Sequence, residues 1–380
     1  MRARLGQPAV TISDDGRRLR VVWPDGGEIV APAPWLYDNA DGARDAAGGH
    51  RLRGALALAA ARELAEARLD GEAIALRFAP DGETGRIRLS ALTERPRSPP
   101  EPRLWSTPDA LAPAPQVTFA AYLSDEGALA ATLAEVVRHG LVFLAGAGDA
   151  GGAVERAVAR FGHVRETNYG RLFDVREEAR PSHLAYSAVG LELHTDNPYR
   201  DPEPTLQLLH AIETAEVGGE SQFVDGFAHA EALRREAPAA FAILAATPVE
   251  FAYAGPDGAR FSARAPVIEL APGGALKAVR LNHRSLAPLA LDGGADVEAW
   301  YDAYLDYYGR VHAPSARIER PLERGEMVIF DNRRVLHGRA PYAASGRRWL
   351  QGCYADRDGL LATLGRLRAG GAAETQEAAE

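Results

Sequence analysis

Leu193-His194-Thr195-Asp196-Asn197-Pro198 is the stretch on which the reading of this chain turns. At the end of an extended strand, residues i and i+2 project to the same side, so His194 and Asp196 can grip one ion together. A third ligand has to come from elsewhere. The best candidate is His337, in Asp331-Asn332-Arg333-Arg334-Val335-Leu336-His337-Gly338-Arg339, 141 residues beyond Asp196. Two imidazoles and one carboxylate on one face make the facial triad of non-haem Fe(II) sites, with three positions left open for a chelating cosubstrate and O2. A His-x-Asp pair alone is a weak signal, because such pairs arise by chance on surfaces and in cores. The distal His-Gly-Arg strengthens it, and so does Arg348, eleven residues past His337 in Gly346-Arg347-Arg348-Trp349-Leu350. A planar guanidinium makes a two-pronged contact with a carboxylate and suits the far end of 2-oxoglutarate. By itself Arg348 reads as a surface strand charge; beside the triad the functional reading prevails.

Around these motifs the chain reads as short strands: Leu184 onward, Leu206–His210, Gln222–Val224, Val267–Leu270, Val279–Leu281, Met327–Phe330 and Trp349–Tyr354. Helical patterns cover Glu126–Arg138, Ala153–Phe161, His229–Leu244 and Val297–Tyr308, with an apolar strand at Gly140–Leu144. Many short strands with inserted helices predict a β-rich α+β fold, a jelly roll rather than a βαβ sheet. Upstream, Asp25-Gly26 and Asp81-Gly82 mark two hairpins, and the Ala- and Leu-rich run Leu52–Leu69 reads as a helix. Seven prolines (Pro96, Pro99, Pro100, Pro102, Pro108, Pro113, Pro115) predict a stiff linker over 96–115 between a small α+β domain, 1–95, and a larger domain, 116–368. The small, acidic residues 369–380 read as a disordered tail.

With 46% apolar and 25% charged residues the composition is that of a soluble globular protein. A net charge of −9 and scattered arginines argue against nucleic acid and against anionic membranes. The one cysteine, Cys353, excludes a disulfide framework and a Cys-based zinc site within the chain. No apolar run suggests a signal peptide or a membrane helix, so a cytoplasmic enzyme is expected. Lys277 is the only lysine, which disfavours Schiff-base and P-loop chemistry.

Taken in order, Leu191–Asp196, Leu206–His210, Gly218-Gly219-Glu220-Ser221, Val224-Asp225-Gly226-Phe227, Phe330-Asp331-Asn332, Leu336-His337-Gly338-Arg339 and Gly352–Asp356 resemble the gamma-butyrobetaine and trimethyllysine dioxygenase family, within the larger taurine-dioxygenase-like group. The resemblance spans about Val117 to Arg366 and implies a double-stranded β-helix. It also implies Fe(II), with 2-oxoglutarate and O2 as cosubstrates and ascorbate as reductant. Arg348 would take the cosubstrate's 5-carboxylate, with Leu209 also contacting the cosubstrate, and a homodimer is expected. The family's aromatic cage for a trimethylammonium group falls on Tyr169, Phe173, Tyr186 and Tyr354. Such a cation has no hydrogen to donate and is held by ring faces. Any one of these rings could simply be a packed strand residue. Phe173 replaces a more usual tryptophan.

Three further departures matter. His183 and Arg284 stand where the family has asparagines near the substrate carboxylate. If both line the pocket, a phosphonate such as 2-trimethylaminoethylphosphonate competes with gamma-butyrobetaine and trimethyllysine as the substrate. In the N-terminal domain, which carries Pro34-Trp35-Leu36-Tyr37-Asp38-Asn39, the family commonly binds zinc through three cysteines and a histidine. Here Ala40, Gly42 and Asp45 take the cysteine positions. Two rivals of other classes are a non-catalytic cupin-like metal module and a zinc hydrolase. Neither explains three ligands together with Arg348.

Overall fold

In the computed structural model the described residues are 6–93, 99–111, 116–176, 190–255, 258–291, 296–342 and 348–377. The chain divides into two compact units, Met1–Arg97 and Ser98–Glu380.

The first unit is built from two three-stranded antiparallel sheets, Ala9–Ile12 with Arg18–Val22 and Glu28–Pro32, and Glu63–Asp70 with Ala73–Ala79 and Thr84–Arg88. Both expected hairpins form, with Gly26 and Gly82 in the left-handed region the turns require. The expected helix over Leu52–Leu69 does not. Ala55–Ala60 is a short 3-10 turn, and Glu63–Asp70 is a strand paired with Ala73–Ala79. Asp70-Gly71 is a hairpin signal of the same kind as the other two, and strand pairing over the apolar core overrides the helical propensity of Ala and Leu. That core contains Leu19, Val21, Leu36, Ile74 and Phe78. Where the cysteines are missing, the Asp45 carboxylate closes its loop by accepting from the backbone N–H groups of Ala47, Gly48 and His50 at 3.1, 2.6 and 2.6 Å.

The second unit holds two antiparallel sheets face to face. The larger runs Phe173–Arg176, Trp349–Ala355, Leu206–Glu213, Met327–Asp331, Leu141–Ala145, Gln116–Thr118, the last pair parallel, with Val164–Arg165 also on Trp349–Ala355. The smaller runs Leu191–His194, Val335–Arg339, Ser221–Asp225, Ile318–Arg320. Side chains alternate across the larger sheet. Phe143, Leu209, Val328 and Phe330 meet Phe223, Ile318 and Val335 of the smaller sheet. Val142, Leu144, Leu208 and Ile329 point the other way, under Glu126–His139, Ala153–Val158 and Arg357–Glu377. Strands buried on both faces explain the unbroken apolar runs in the sequence.

Residues 226–317 leave the smaller sheet and return to it, packing two hairpins and three helices on its outer face through Leu193, Val224 and Leu336. The single helix expected over His229–Leu244 is two, Gly226–Glu236 and Pro238–Ala246, because Pro238 starts a new helix at its first turn. The proline-rich stretch is not a free linker. Residues 99–111 belong to the second unit, and Trp105 is buried there, its indole donating to His139 O at 2.8 Å. The tail expected to be disordered from 369 continues the helix Arg357–Glu377, since Ala, Glu and Gln favour extension of a docked helix. Among the described residues no helix is long and apolar enough to cross a membrane.

One fully buried ion pair ties these layers together. Arg334 donates to both oxygens of Asp225, Nε to Oδ1 at 3.1 Å and Nη2 to Oδ2 at 2.8 Å, and also to the carbonyls of Arg138 and Arg103. Asp225 in turn caps Gly226–Glu236 and accepts from Trp105 N at 3.1 Å. Removing one partner strands the other charge without water. Arg334→Ala is therefore expected to destabilise the second unit by about 3–5 kcal/mol in a urea unfolding series; a loss below about 1 kcal/mol would contradict it.

Candidate active site

Strand pairing brings the two histidines together. Leu191–His194 runs antiparallel to Val335–Arg339 with His194 directly across from His337, after a register irregularity. Their ring centroids are 4.4 Å apart. The approach needs the glycine next to His337: a Cβ on Gly338 would lie 2.7 Å from Leu191 O and 3.2 Å from Leu193 N. Asp196 lies just past the strand end and is fixed through its backbone. Asn332 accepts from Asp196 N at 2.8 Å and donates to Asp196 O at 3.0 Å and Pro204 O at 2.9 Å. Thr195 is tied to the neighbouring segment by Thr195 N to Leu281 O, 2.8 Å, and Asn282 Nδ2 to Thr195 O, 3.1 Å. Asn197 then turns the chain away at φ 52°, a conformation asparagine tolerates better than most residues.

His194 Nε2 lies 3.2 Å from Asp196 Oδ1, and His337 Nε2 lies 3.7 Å from Asp196 Oδ2. One donor atom from each residue falls within 4.8 Å of the others, a spacing that could hold a metal ion. Among the described residues no other cluster of His, Cys, Asp or Glu does so. His194 Nδ1 donates to Glu192 O at 2.8 Å, so its Nε2 carries the lone pair. Burial, reinforced by the neighbouring His194, drops the His337 pKa to about 3. Its imidazole is thus neutral, the form that ligates metal. Burial alone would raise the Asp196 carboxyl, but His337, His194 and Tyr354 outweigh it and hold the group well below the carboxylate range. Two imidazole nitrogens and one carboxylate oxygen suit a divalent iron, and their open side suits further ligands.

The triad lines a cavity between the two sheets. Tyr354 and Phe173 line it with ring centroids 5.0 Å apart, and Tyr169 lies 6.4 Å from Phe173. Gly352 makes room for the Phe173 ring, which a Cβ there would meet at 2.5 Å. The Tyr354 hydroxyl donates to Asp196 Oδ2 at 2.8 Å. Leu209 and Arg348 also line the cavity. Arg348 is 7% exposed, with no carboxylate partner among the described residues. Burial, with Arg339 close by, brings its pKa down to about 10, so it remains a cation. Gly219, at φ +74°, lets the Arg348 side chain lie 3.2 Å from where a Cβ would be, which is the role of the Gly-Gly motif.

Of the residues named from sequence, His194, Asp196, His337, Arg348, Leu209, Tyr169, Phe173 and Tyr354 thus meet in one cavity. His183, Tyr186 and Arg347 lie outside the described residues. Arg284 is exposed, in the short turn His283–Ser285, and is not among the cavity-lining residues, although its charge is felt at His337. Sequence reasoning did not single out Asn332, Arg339 or Gln207. Each lies in a motif it quoted, but nothing in the pattern shows that Asn332 reaches back 136 residues to Asp196.

A jelly roll with two imidazoles and a carboxylate converging at one end is the scaffold of a facial-triad metalloenzyme. The family model for the taurine catabolism dioxygenase TauD, TfdA family matches residues 106–354, and the chain belongs to that family. The gamma-butyrobetaine dioxygenase of Pseudomonas sp. (strain AK-1) is 36% identical over 357 residues, 94% of this chain and 80% of its own length. The human gamma-butyrobetaine dioxygenase is 28% identical, covering 93% of this chain and 95% of its own length. The mitochondrial trimethyllysine dioxygenase of Bos taurus is 28% identical over 66% of this chain and 60% of its length.

If the three side chains form the one metal centre, the native protein binds a single equivalent of divalent metal. His194→Ala, Asp196→Ala and His337→Ala should each weaken that binding by at least tenfold while leaving thermal unfolding intact. Metal analysis that finds a second equivalent held by residues 6–93 would contradict the picture, in which the Asp45 carboxylate is taken up by backbone N–H groups.

Proposed function

We propose that the protein is an Fe(II)- and 2-oxoglutarate-dependent hydroxylase of a small trimethylammonium compound, with gamma-butyrobetaine the leading substrate. The observation that carries this reading is the aromatic wall of Tyr169, Phe173 and Tyr354 opening onto the triad in one cavity, which the buried Arg348 also lines, with no carboxylate partner among the described residues. The similarity to gamma-butyrobetaine dioxygenases over nearly the whole chain supports it.

His194, Asp196 and His337 would hold the iron, and Arg348 would take the 5-carboxylate of 2-oxoglutarate. When bound, the iron supplies the activation of O2. One oxygen atom enters the substrate C–H as hydroxyl and the other enters succinate, with release of CO2, so the two-electron oxidations of substrate and cosubstrate together reduce one O2. Ascorbate would keep the iron reduced. The chain's own work is orientation. The strand pair fixes the imidazoles, Asn332 fixes the backbone of Asp196, and the apolar walls of Leu209, Leu350 and Phe223 keep water away. The rings accept a cation that is weakly hydrated. They reject a primary ammonium, which would shed water without gaining acceptors.

Arg348→Ala tests the cosubstrate assignment. Losing a desolvated charge contact of about 3–4 kcal/mol should raise the KM for 2-oxoglutarate by two to three orders of magnitude, with much less effect on the substrate KM. An unchanged cosubstrate KM would place the 5-carboxylate elsewhere.

A second reading rests on Arg284, whose charge reaches the triad although the side chain is exposed. A cation there would favour a dianionic head, so 2-trimethylaminoethylphosphonate is the alternative substrate. Measured kcat/KM for the phosphonate and for gamma-butyrobetaine, in the native protein and in Arg284→Asn, separates the two. If Arg284 reads the anion, the substitution moves the ratio toward gamma-butyrobetaine by tenfold or more; a ratio that stays put removes Arg284 from the substrate contacts.

A further inference from the structure

Tyr169, Phe173 and Tyr354 line the cavity together, but their outer ring ends do different things. Phe173 has no hydroxyl. Tyr169 meets the Tyr199 hydroxyl at 3.2 Å, and Tyr199 in turn donates to Asn197 Oδ1 at 2.7 Å. The Tyr354 hydroxyl alone goes to the triad, donating to Asp196 Oδ2 at 2.8 Å.

The route of that contact is informative. Tyr354 lies on Trp349–Ala355 of the larger sheet, across from Gln207, whereas both histidines lie on the smaller sheet. The hydroxyl therefore spans the space between the sheets to reach a carboxylate whose backbone is already clamped by Asn332. Asn332 fixes where Asp196 begins but does not touch its carboxyl oxygens. Rotation about the last side-chain bond remains open to a carboxylate held only by its backbone. The Tyr354 hydroxyl is the neutral donor that occupies one of those oxygens.

We propose that Tyr354 is a positioning residue for the metal site: its hydroxyl sets the orientation of the Asp196 carboxylate, while its ring serves as a wall of the substrate pocket. This rests on the reading of the triad as a metal centre and adds a role that the aromatic wall does not require, since a phenylalanine would serve as a ring face equally well. Partners that hydrogen-bond a metal ligand fix its geometry, and losing them commonly weakens metal binding by ten- to a hundredfold.

The test uses the full chain, stripped of metal, and Mn(II) as the probe, titrated anaerobically without any turnover. Tyr354→Phe keeps the ring and its 5.0 Å neighbour Phe173 and removes only the hydroxyl. Tyr169→Phe makes the same chemical change on another wall of the cavity without touching Asp196. The expected result is Mn(II) binding about tenfold weaker in Tyr354→Phe and within twofold of native in Tyr169→Phe, with gamma-butyrobetaine binding to the metal-free protein kept within threefold in Tyr354→Phe. Native-like Mn(II) affinity in Tyr354→Phe, or equal losses in both variants, overturns the proposal. Failure of the native protein to bind Mn(II) at all would instead overturn the reading of the triad, which keeps the two conclusions separable.

Discussion

The buried pair of Asp225 and Arg334 is the constraint from which the active site follows. It cannot be solvated, so both charges must find their partners inside the protein, and they do so on four different segments: residues 99–111, the end of Glu126–His139, the strand Ser221–Asp225 and the turn before Val335–Arg339. That turn also carries Asn332, whose side chain grips the backbone of Asp196, and it leads directly into the strand that bears His337. Anchoring one turn thus places two of the three candidate ligands. The third, His194, is set by register, because it sits across the ladder from His337.

Glycines define what can come close. Gly338 admits the strand of His194, Gly352 admits the Phe173 ring, Gly219 admits Arg348, and Gly226 would meet Leu336 at 2.6 Å if it carried a Cβ. The cavity is therefore shaped as much by missing side chains as by those that line it. Its electrostatics follow from the same burial. Desolvation keeps His337 neutral and lowers the pKa of Arg348, yet leaves Arg348 charged, and among the described residues it has no carboxylate of its own. A desolvated cation of this kind is stabilised when an anionic ligand arrives.

The two sheets contribute differently. The smaller one carries both histidines, with Asp196 just beyond its edge strand. The larger one supplies Phe173, Tyr354, Leu209 and the approach to Arg348, with Tyr169 in the turn that joins two of its strands. The inserted segment 226–317 backs the smaller sheet and also, through Leu281 and Asn282, holds the backbone beside Asp196. The site is thus supported from both layers.

Much of this was legible in the linear chain. Period-two geometry makes His194 and Asp196 a pair, the Asp-Gly turns mark hairpins, and unbroken apolar runs mark strands buried on both faces, because these are local consequences of backbone geometry. The same local reasoning misread Leu52–Leu69, where composition spoke for helix and pairing with Ala73–Ala79 decided for strand. It also mistook a proline-rich packed segment for a linker, since nothing in the order of residues shows that Trp105 is buried. The sequence by itself determined which residue types could form the site and which neighbours let chains approach. Only the tertiary structure decided that Asn332 holds Asp196, that Tyr354 reaches it from the opposite sheet, and that Arg348 is buried in the same cavity, because each depends on which distant surfaces share one desolvated space.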